Sequence, residues 1–260
     1  MPLRDFAAAA GLLDGRTAVV TGAARGNGCA IAAGLAGAGA FVWVADRDRE
    51  GAERTVEQIA AAGGRAAALC WDIAGADHTV AALEAIRGRG QRISILVNNA
   101  GIEAAGRAGD PGYADSWRRV LGVNLDGTML VTEALLPDLI ATRGCIVNVA
   151  SVQAFVALQG GASAYAASKG ALVQYTRSLA VELAASHVRV NAIAPGFINT
   201  DMTAGTRSDA SSYQHFIGRT PMRRFGDPAE LVGPVLFLVS SLSSYVTGAV
   251  LPVDGGLLAQ

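Results

Sequence analysis

Seven short runs rich in β-branched residues recur along the chain, separated by longer Ala- and Leu-rich stretches, and this alternation constrains the fold more than any other feature. The runs are residues 17–21, 41–45, 66–71, 93–98, 145–150, 188–194 and 250–253. Several are continuously apolar, as strands buried on both faces are. The stretches between them, 28–38, 48–62, 77–87, 125–141, 163–184 and 228–238, read as helices. Asp48 and Asp77 read as helix starts, and Pro228 followed by Ala and Glu suits a first turn. Strand–helix alternation of this kind predicts an α/β fold: a single-domain, doubly wound parallel sheet of Rossmann type with helices on both faces. No repeat or Pro/Ser-rich linker divides residues 1–260, and 1–14 read as an N-terminal extension. Two segments break the rhythm, 103–115 and 197–219. Loops that long in a compact domain usually carry function, and 197–219 is expected to close over a substrate.

Composition removes several classes. Twenty-one basic against 22 acidic residues leave a net charge of −1, without the basic footprint of a nucleic-acid binder. No apolar run approaches the ~18 residues of a membrane span, and the start carries no convincing signal peptide. The expectation is a soluble, cytoplasmic protein. Cys29, Cys70 and Cys145 are scattered and odd in number, so neither a disulfide framework nor a metal site is expected. They read as small core hydrophobes, with Cys29 near the first glycine turn.

The first strand runs into Thr21-Gly22-Ala23-Ala24-Arg25-Gly26-Asn27-Gly28, and a helix follows. Such a turn lets backbone approach a pyrophosphate while the helix N-terminus offers free N–H groups. The spacing is Gly-x3-Gly-x-Gly, which a chain with 32 glycines also produces by chance. Asp46, ending the second strand 20 residues beyond Gly26, adds the carboxylate a dinucleotide fold directs at ribose hydroxyls. Its charge opposes a 2′-phosphate and argues for NAD over NADP. Arg25 and Arg47 argue the other way, because either guanidinium could hold that phosphate.

Tyr165-Ala166-Ala167-Ser168-Lys169 places a phenol and an ammonium on one helix face. Lys169 is the single lysine among 21 basic residues, in a chain that otherwise uses arginine. A phenol titrates near ~10, so acid–base work near neutrality requires a lowered value, part of which an adjacent cation supplies. Y-x-x-x-K is an ordinary surface pair in most proteins. Ser151, 14 residues upstream at the end of a strand, changes the odds, because ligands bind where parallel strands end. A serine hydrolase is the rival reading. It fails because Ser151 lies in Asn148-Val149-Ala150-Ser151-Val152, not a nucleophile elbow, and His78, His187 and His215 lie in no base motif.

Taken together and in order, these residues resemble the short-chain dehydrogenase/reductase family from Thr17 to Gly256. Asn27 departs from the family's usual aliphatic residue at a position that acts through its backbone. The resemblance places Asp72 and Ile73 at the adenine ring and Asn99, Ala100 and Gly101, in Asn98-Asn99-Ala100-Gly101, beside the adenosine ribose. It implies that Pro195, Gly196, Ile198 and Thr200 clamp the nicotinamide carboxamide. Ser151 would hold the substrate oxygen, Tyr165 exchange the proton, and Lys169 bind the nicotinamide ribose and tune Tyr165. Asn124 would hold a relay water, and it also reads as a helix-kink residue. Gln153, Phe155, Gln159 and Phe197 are expected to line the substrate side. The implied activity is hydride transfer between NAD and a small secondary alcohol or ketone, a polyol or diol, in a homotetramer. An NADPH-dependent 3-oxoacyl-carrier reductase and a non-catalytic NAD sensor are the alternatives.

Overall fold

The computed structural model describes residues 9, 11–104, 106–157 and 162–260. They form strands β1 (Thr17–Thr21), β2 (Phe41–Asp46), β3 (Arg65–Cys70), β4 (Ile95–Asn98), β5 (Cys145–Val149), β6 (Arg189–Pro195) and β7 (Val250–Val253). The helices are α1 (Gly26–Gly37), α2 (Arg49–Ala61), α3 (Ala76–Gly88), α4 (Tyr113–Leu121), α5 (Thr128–Ala141), α6 (Ser163–Leu183), α7 (Ala204–Ser208), α8 (Ala210–Arg219) and α9 (Val232–Val239).

All seven strands pair in parallel, in the order β3-β2-β1-β4-β5-β6-β7. The chain reverses its direction of travel between β1 and β4, and such a switch point opens a crevice at the strands' carboxyl ends. Neighbouring side chains point to opposite faces, so Val20 packs with α1, α2 and α9 while Val19 packs with α3, α5 and α6. The two layers are cored by Ile31, Leu35 and Ile59 on one side and Ile86, Leu135 and Leu139 on the other, all essentially buried. Each such side chain contributes roughly 1.5–3 kcal/mol.

Asp48 caps α2 by accepting from the Gly51 amide at 3.0 Å, as the sequence implied. Asp77 falls within the first turn of α3, whose N-cap is Gly75. The fourth strand starts at Ile95 because Ile93 donates its amide to the Asp138 carboxylate. Residues 197–219 contain two short helices where a loop was expected. Asp209 starts α8 by accepting from the Ser212 amide at 2.7 Å, and Ser- and Thr-rich composition concealed that cap. Helix α4 was unassigned in the sequence because only Val120 of its nine residues is buried.

Candidate active site

Strand β5 and helix α6 assemble the chemical residues. Ser151 follows β5 and caps a short 3-10 turn, its Oγ accepting from the Gln153 amide at 3.1 Å. Helix α6 then carries Tyr165, Ser168 and Lys169 back across the strand end. Lys169 is buried, and its Nζ donates to the Val149 carbonyl at 2.7 Å and stands 5.6 Å from the centre of the Tyr165 ring. The expected lowering of the Tyr165 pKa is not found in the free protein. Burial pushes the phenol up to about 12, a Ser151 hydrogen bond pulls it partly back, and the Glu103 carboxylate raises it further. Burial also lowers Lys169 to about 8. Desolvation outweighs the Ser151 hydrogen bond, so the resting phenol is neutral.

Two residues of this cluster escaped the sequence reading. Ser168 is buried, donates to the Tyr165 carbonyl at 2.7 Å and accepts from Asn124 Nδ2 at 3.0 Å. Its signal was a serine on the apolar face of a helix. Glu103 had only its place in a long loop to mark it.

Asn124 lies in a π-helical turn, Gly122–Gly127, between α4 and α5. Its Oδ1 accepts from the Ile102 amide at 2.8 Å and its Nδ2 donates to the Ile102 carbonyl at 2.9 Å. Both Nδ2 hydrogens are therefore engaged, by Ile102 and Ser168, and a relay water would have to use remaining lone pairs. A Cβ placed on Gly101 would lie 3.3 Å from Asn124 Oδ1 and 3.5 Å from Lys169 Nζ, which locates β4's end against the same cluster.

The glycine turn fits a dinucleotide on four observations. Helix α1 has no side-chain cap and no acidic residue in its first turn, leaving its N-terminal amides for an anion. Gly22 and Gly26 adopt φ of +64° and +56°, which side chains disfavour. Asn27 Oδ1 is buried and finds no donor among the described residues. Gly28 cannot carry a side chain, because a Cβ would stand 2.2 Å from the Gly22 carbonyl. Asn99 pins the turn to the sheet through Nδ2, which donates to Thr21 and Gly22 carbonyls at 2.9 Å each. The Ala100 amide donates to Thr21 Oγ1 at 3.1 Å. Below them an amide row, Thr132–Asn98–Asn148–Thr176, crosses the sheet.

Asp46 ends β2 with both carboxylate oxygens held, one by the Ala24 amide and one by the Asp48 amide, each at 3.0 Å. Arg25 pairs with Asp201 at 3.6 Å, and Arg47 is exposed. Asp72 accepts from the Ala74 amide at 3.1 Å, while Ile73 is buried against Gly127. On the opposite wall, Pro195 ends β6 and Gly196 packs on Asp254 too closely for a Cβ. Ile198 is buried and bridges to Gly226, and Thr200 closes a capping box with Thr203. Thr200 lies over the glycine turn, since a Cβ on Gly26 would meet its Cγ2 at 3.4 Å.

Of the residues expected to line the substrate side, Gln153 is half-buried and Phe155 is 45% exposed. Phe197 packs against Phe216 in a tilted pair at 4.4 Å between ring centres, tying α8 to the chain leaving β6, and stacks on Phe225 at 5.6 Å. Gln159 lies outside the described residues. Of the histidines, His187 ends the turn after α6, before β6 begins, at the amino ends of the strands, opposite the carboxyl end where Ser151 sits. The Cys29 thiol faces Gln58 at 3.7 Å. Among the described residues no helix is long and apolar enough to cross a membrane.

Residues 22–258 match the model of a family described as enoyl-(acyl carrier protein) reductase. The chain is 40% identical to galactitol 2-dehydrogenase (L-tagatose-forming) of Cereibacter sphaeroides, over 94% of this chain and 95% of that one. It is 42% identical to a 3-oxoacyl-[acyl-carrier-protein] reductase of Aquifex aeolicus, over 94% and 98%. The crystal structure of a gluconate 5-dehydrogenase from Burkholderia cenocepacia, in complex with NADP and tartrate, superposes with a TM-score of 0.90 at 36% identity, covering 97% of this chain and 99% of that one. With the site geometry and these similarities, the chain belongs to the short-chain dehydrogenase/reductase family, the oxidoreductases that work with a nicotinamide cofactor.

Proposed function

We propose that the chain is an NAD-dependent dehydrogenase that interconverts a small neutral secondary alcohol, a polyol or diol, and its ketone. The observation that carries this reading is the meeting of Ser151, Tyr165 and buried Lys169 at the strands' carboxyl ends, the same end of the sheet as the uncapped α1 N-terminus. The galactitol dehydrogenase relative supports the substrate class, and the doubly held Asp46 carboxylate supports NAD.

In this reading Ser151 would hold the substrate oxygen. Tyr165, neutral at rest, would first release its own proton through the Asn124 water relay and then, as phenolate, take the hydroxyl proton, while a hydride leaves the same carbon and the C–O bond becomes a carbonyl. A bound oxidised dinucleotide would supply the hydride acceptor and a positive charge. Lys169 would bind its ribose and stabilise the phenolate. Gly22, Gly26, Asn27 and Gly28 would cradle the pyrophosphate, Asp72 and Ile73 the adenine, and Ile198 and Thr200 the carboxamide. Asn124 would take the proton relay onward through water. Residues 197–219 would close over Gln153, Phe155 and Phe197.

The test is absorbance at the reduced-nicotinamide band with NAD and a panel of polyols, diols and simple cyclic alcohols. Turnover of a polyol or diol supports the reading, and failure across the panel removes it. A 3-oxoacyl-carrier reductase is the second reading, supported by the Aquifex relative. A net charge of −1 offers an acidic carrier no basic landing site, and preference for NADPH with an acyl thioester would favour it. Binding without turnover of either class would leave a sensor.

Assembly belongs to the same proposal. Phe237, Leu242, Tyr245 and Leu251 are all exposed, Tyr245 completely, around α9 and β7. A second copy would cover this apolar face, and closed symmetry then extends to a homotetramer. Light scattering giving a monomer at micromolar concentration would remove that part.

A further inference from the structure

We infer that Glu103 is a specificity-determining residue: its carboxylate accepts a hydrogen bond from a neutral hydroxyl next to the reacting carbon and turns away substrates that carry a carboxylate there. This rests on the dehydrogenase reading and deepens it, and it places Glu103 at a named position beside Tyr165.

Three ties set that position. Asn124 fixes the preceding residue by both backbone polar groups of Ile102, at 2.8 and 2.9 Å. Gly106 forms a β-bridge with Ala162, at the cap of α6. Tyr113 Oη and Ser163 Oγ share a hydrogen bond at 2.7 Å, two residues before Tyr165. The segment bearing Glu103 therefore lies along the first turn of α6, directly upstream of the catalytic phenol.

The carboxylate is close enough to raise the Tyr165 pKa, and its own pKa is raised by desolvation. The residue as a whole stays accessible, so a ligand can reach it. Among the described residues no hydrogen-bond donor or cation is paired with it. A carboxylate held beside the phenol, open to solvent and without a partner among the described residues, has its acceptor positions left for a ligand. A hydroxyl satisfies it. A second carboxylate within a few ångströms is repelled, and reduced hydration strengthens that repulsion.

The test compares wild type with Glu103→Gln, which keeps the shape and removes the charge. Initial rates are measured on galactitol and on galactonate, its carboxylate counterpart. The wild type should favour the polyol by at least tenfold in kcat/KM. In the variant that ratio should fall at least tenfold, chiefly through KM for the aldonate. A smaller change, or a wild type that prefers the aldonate, overturns the inference. A second arm needs no turnover. Dissociation constants of threitol and tartrate, four-carbon compounds that share the central diol and differ in ending in hydroxymethyl groups or carboxylates, are read from the fluorescence of bound NADH. Tartrate should tighten at least tenfold relative to threitol in Glu103→Gln, and a ratio that stays put overturns the inference. A protein inert on every alcohol would sink the dehydrogenase reading, while the binding arm would still judge Glu103.

Discussion

The Asn124 side chain holds both polar groups of the Ile102 backbone, accepting from its amide at 2.8 Å and donating to its carbonyl at 2.9 Å. Its second Nδ2 hydrogen reaches Ser168 Oγ at 3.0 Å, and Ser168 in turn donates to the Tyr165 carbonyl at 2.7 Å. One buried amide thus joins the β4 exit to the helix that carries the phenol and the lysine. The π-helical turn around Asn124 supplies its position, consistent with the frequent use of such bulges at functional sites.

Asn124→Ala should therefore cost both stability and catalysis. It leaves the Ile102 amide and carbonyl unpaired near the core, at roughly 1–3 kcal/mol for each group that water cannot reach. Chemical denaturation should give a loss of about 3 kcal/mol, and kcat/KM should fall at least ~10²-fold. A variant with native kinetics would show that the clamp does not position the site.

Tyr165→Phe removes the hydroxyl proposed to exchange the proton, and little volume. NADH binding should survive, while kcat falls by at least ~10²-fold. Fluorescence titration and steady-state rates separate the two, and a near-normal kcat would take the phenol out of the mechanism.

Lys169 makes stability depend on pH. Its pKa falls from 10.5 unfolded to about 8 folded, because burial disfavours the ammonium. Between those values the unfolded chain binds more protons than the folded one, so stability rises with pH. The contribution is present above 10.5 and is lost as pH falls through 8. Between pH 7 and 10, wild type should therefore gain roughly 2–3 kcal/mol on Lys169→Met. Denaturant midpoints at four pH values check this, and parallel curves would mean that Lys169 is not buried as a titrating group.

The sheet and most of the cofactor turn were legible because their signals are local. Apolar runs name buried strands, and a glycine turn followed by a carboxylate at the end of the second strand marks the turn that Asp46 is held against. The Tyr165–Lys169 spacing was legible for the same reason. Its electrostatics were not, because desolvation depends on everything packed around the phenol, including a Glu103 that is 62 residues distant. Ser168 and the Asn124 clamp are tertiary hydrogen bonds between distant segments, and no periodicity encodes them. Helices α7 and α8 hid behind polar composition that favours loops and caps alike.

Cofactor choice turns on Asp46, Arg25 and Asp201. Two backbone amides hold the Asp46 carboxylate, so it cannot swing away from a 2′-phosphate. Arg25 could compensate, but it faces Asp201 at 3.6 Å with both side chains about three-quarters exposed. An ion pair that open contributes between zero and about 1 kcal/mol, and it therefore restrains Arg25 only slightly. The carboxylate should decide. Wild-type kcat/KM is expected to favour NAD by at least ~10-fold, a difference of about 1.4 kcal/mol. Asp46→Ala should narrow that preference by relieving the repulsion. Asp201→Asn should improve NADP by less than about threefold, because it frees an arginine that is already mobile. Saturation curves for both cofactors, on all three proteins with one substrate, make the comparison. A wild type that prefers NADP, or an Asp46→Ala ratio equal to wild type, would reject Asp46 as the discriminating group. A large NADP gain in Asp201→Asn would move that role to the Arg25–Asp201 pair.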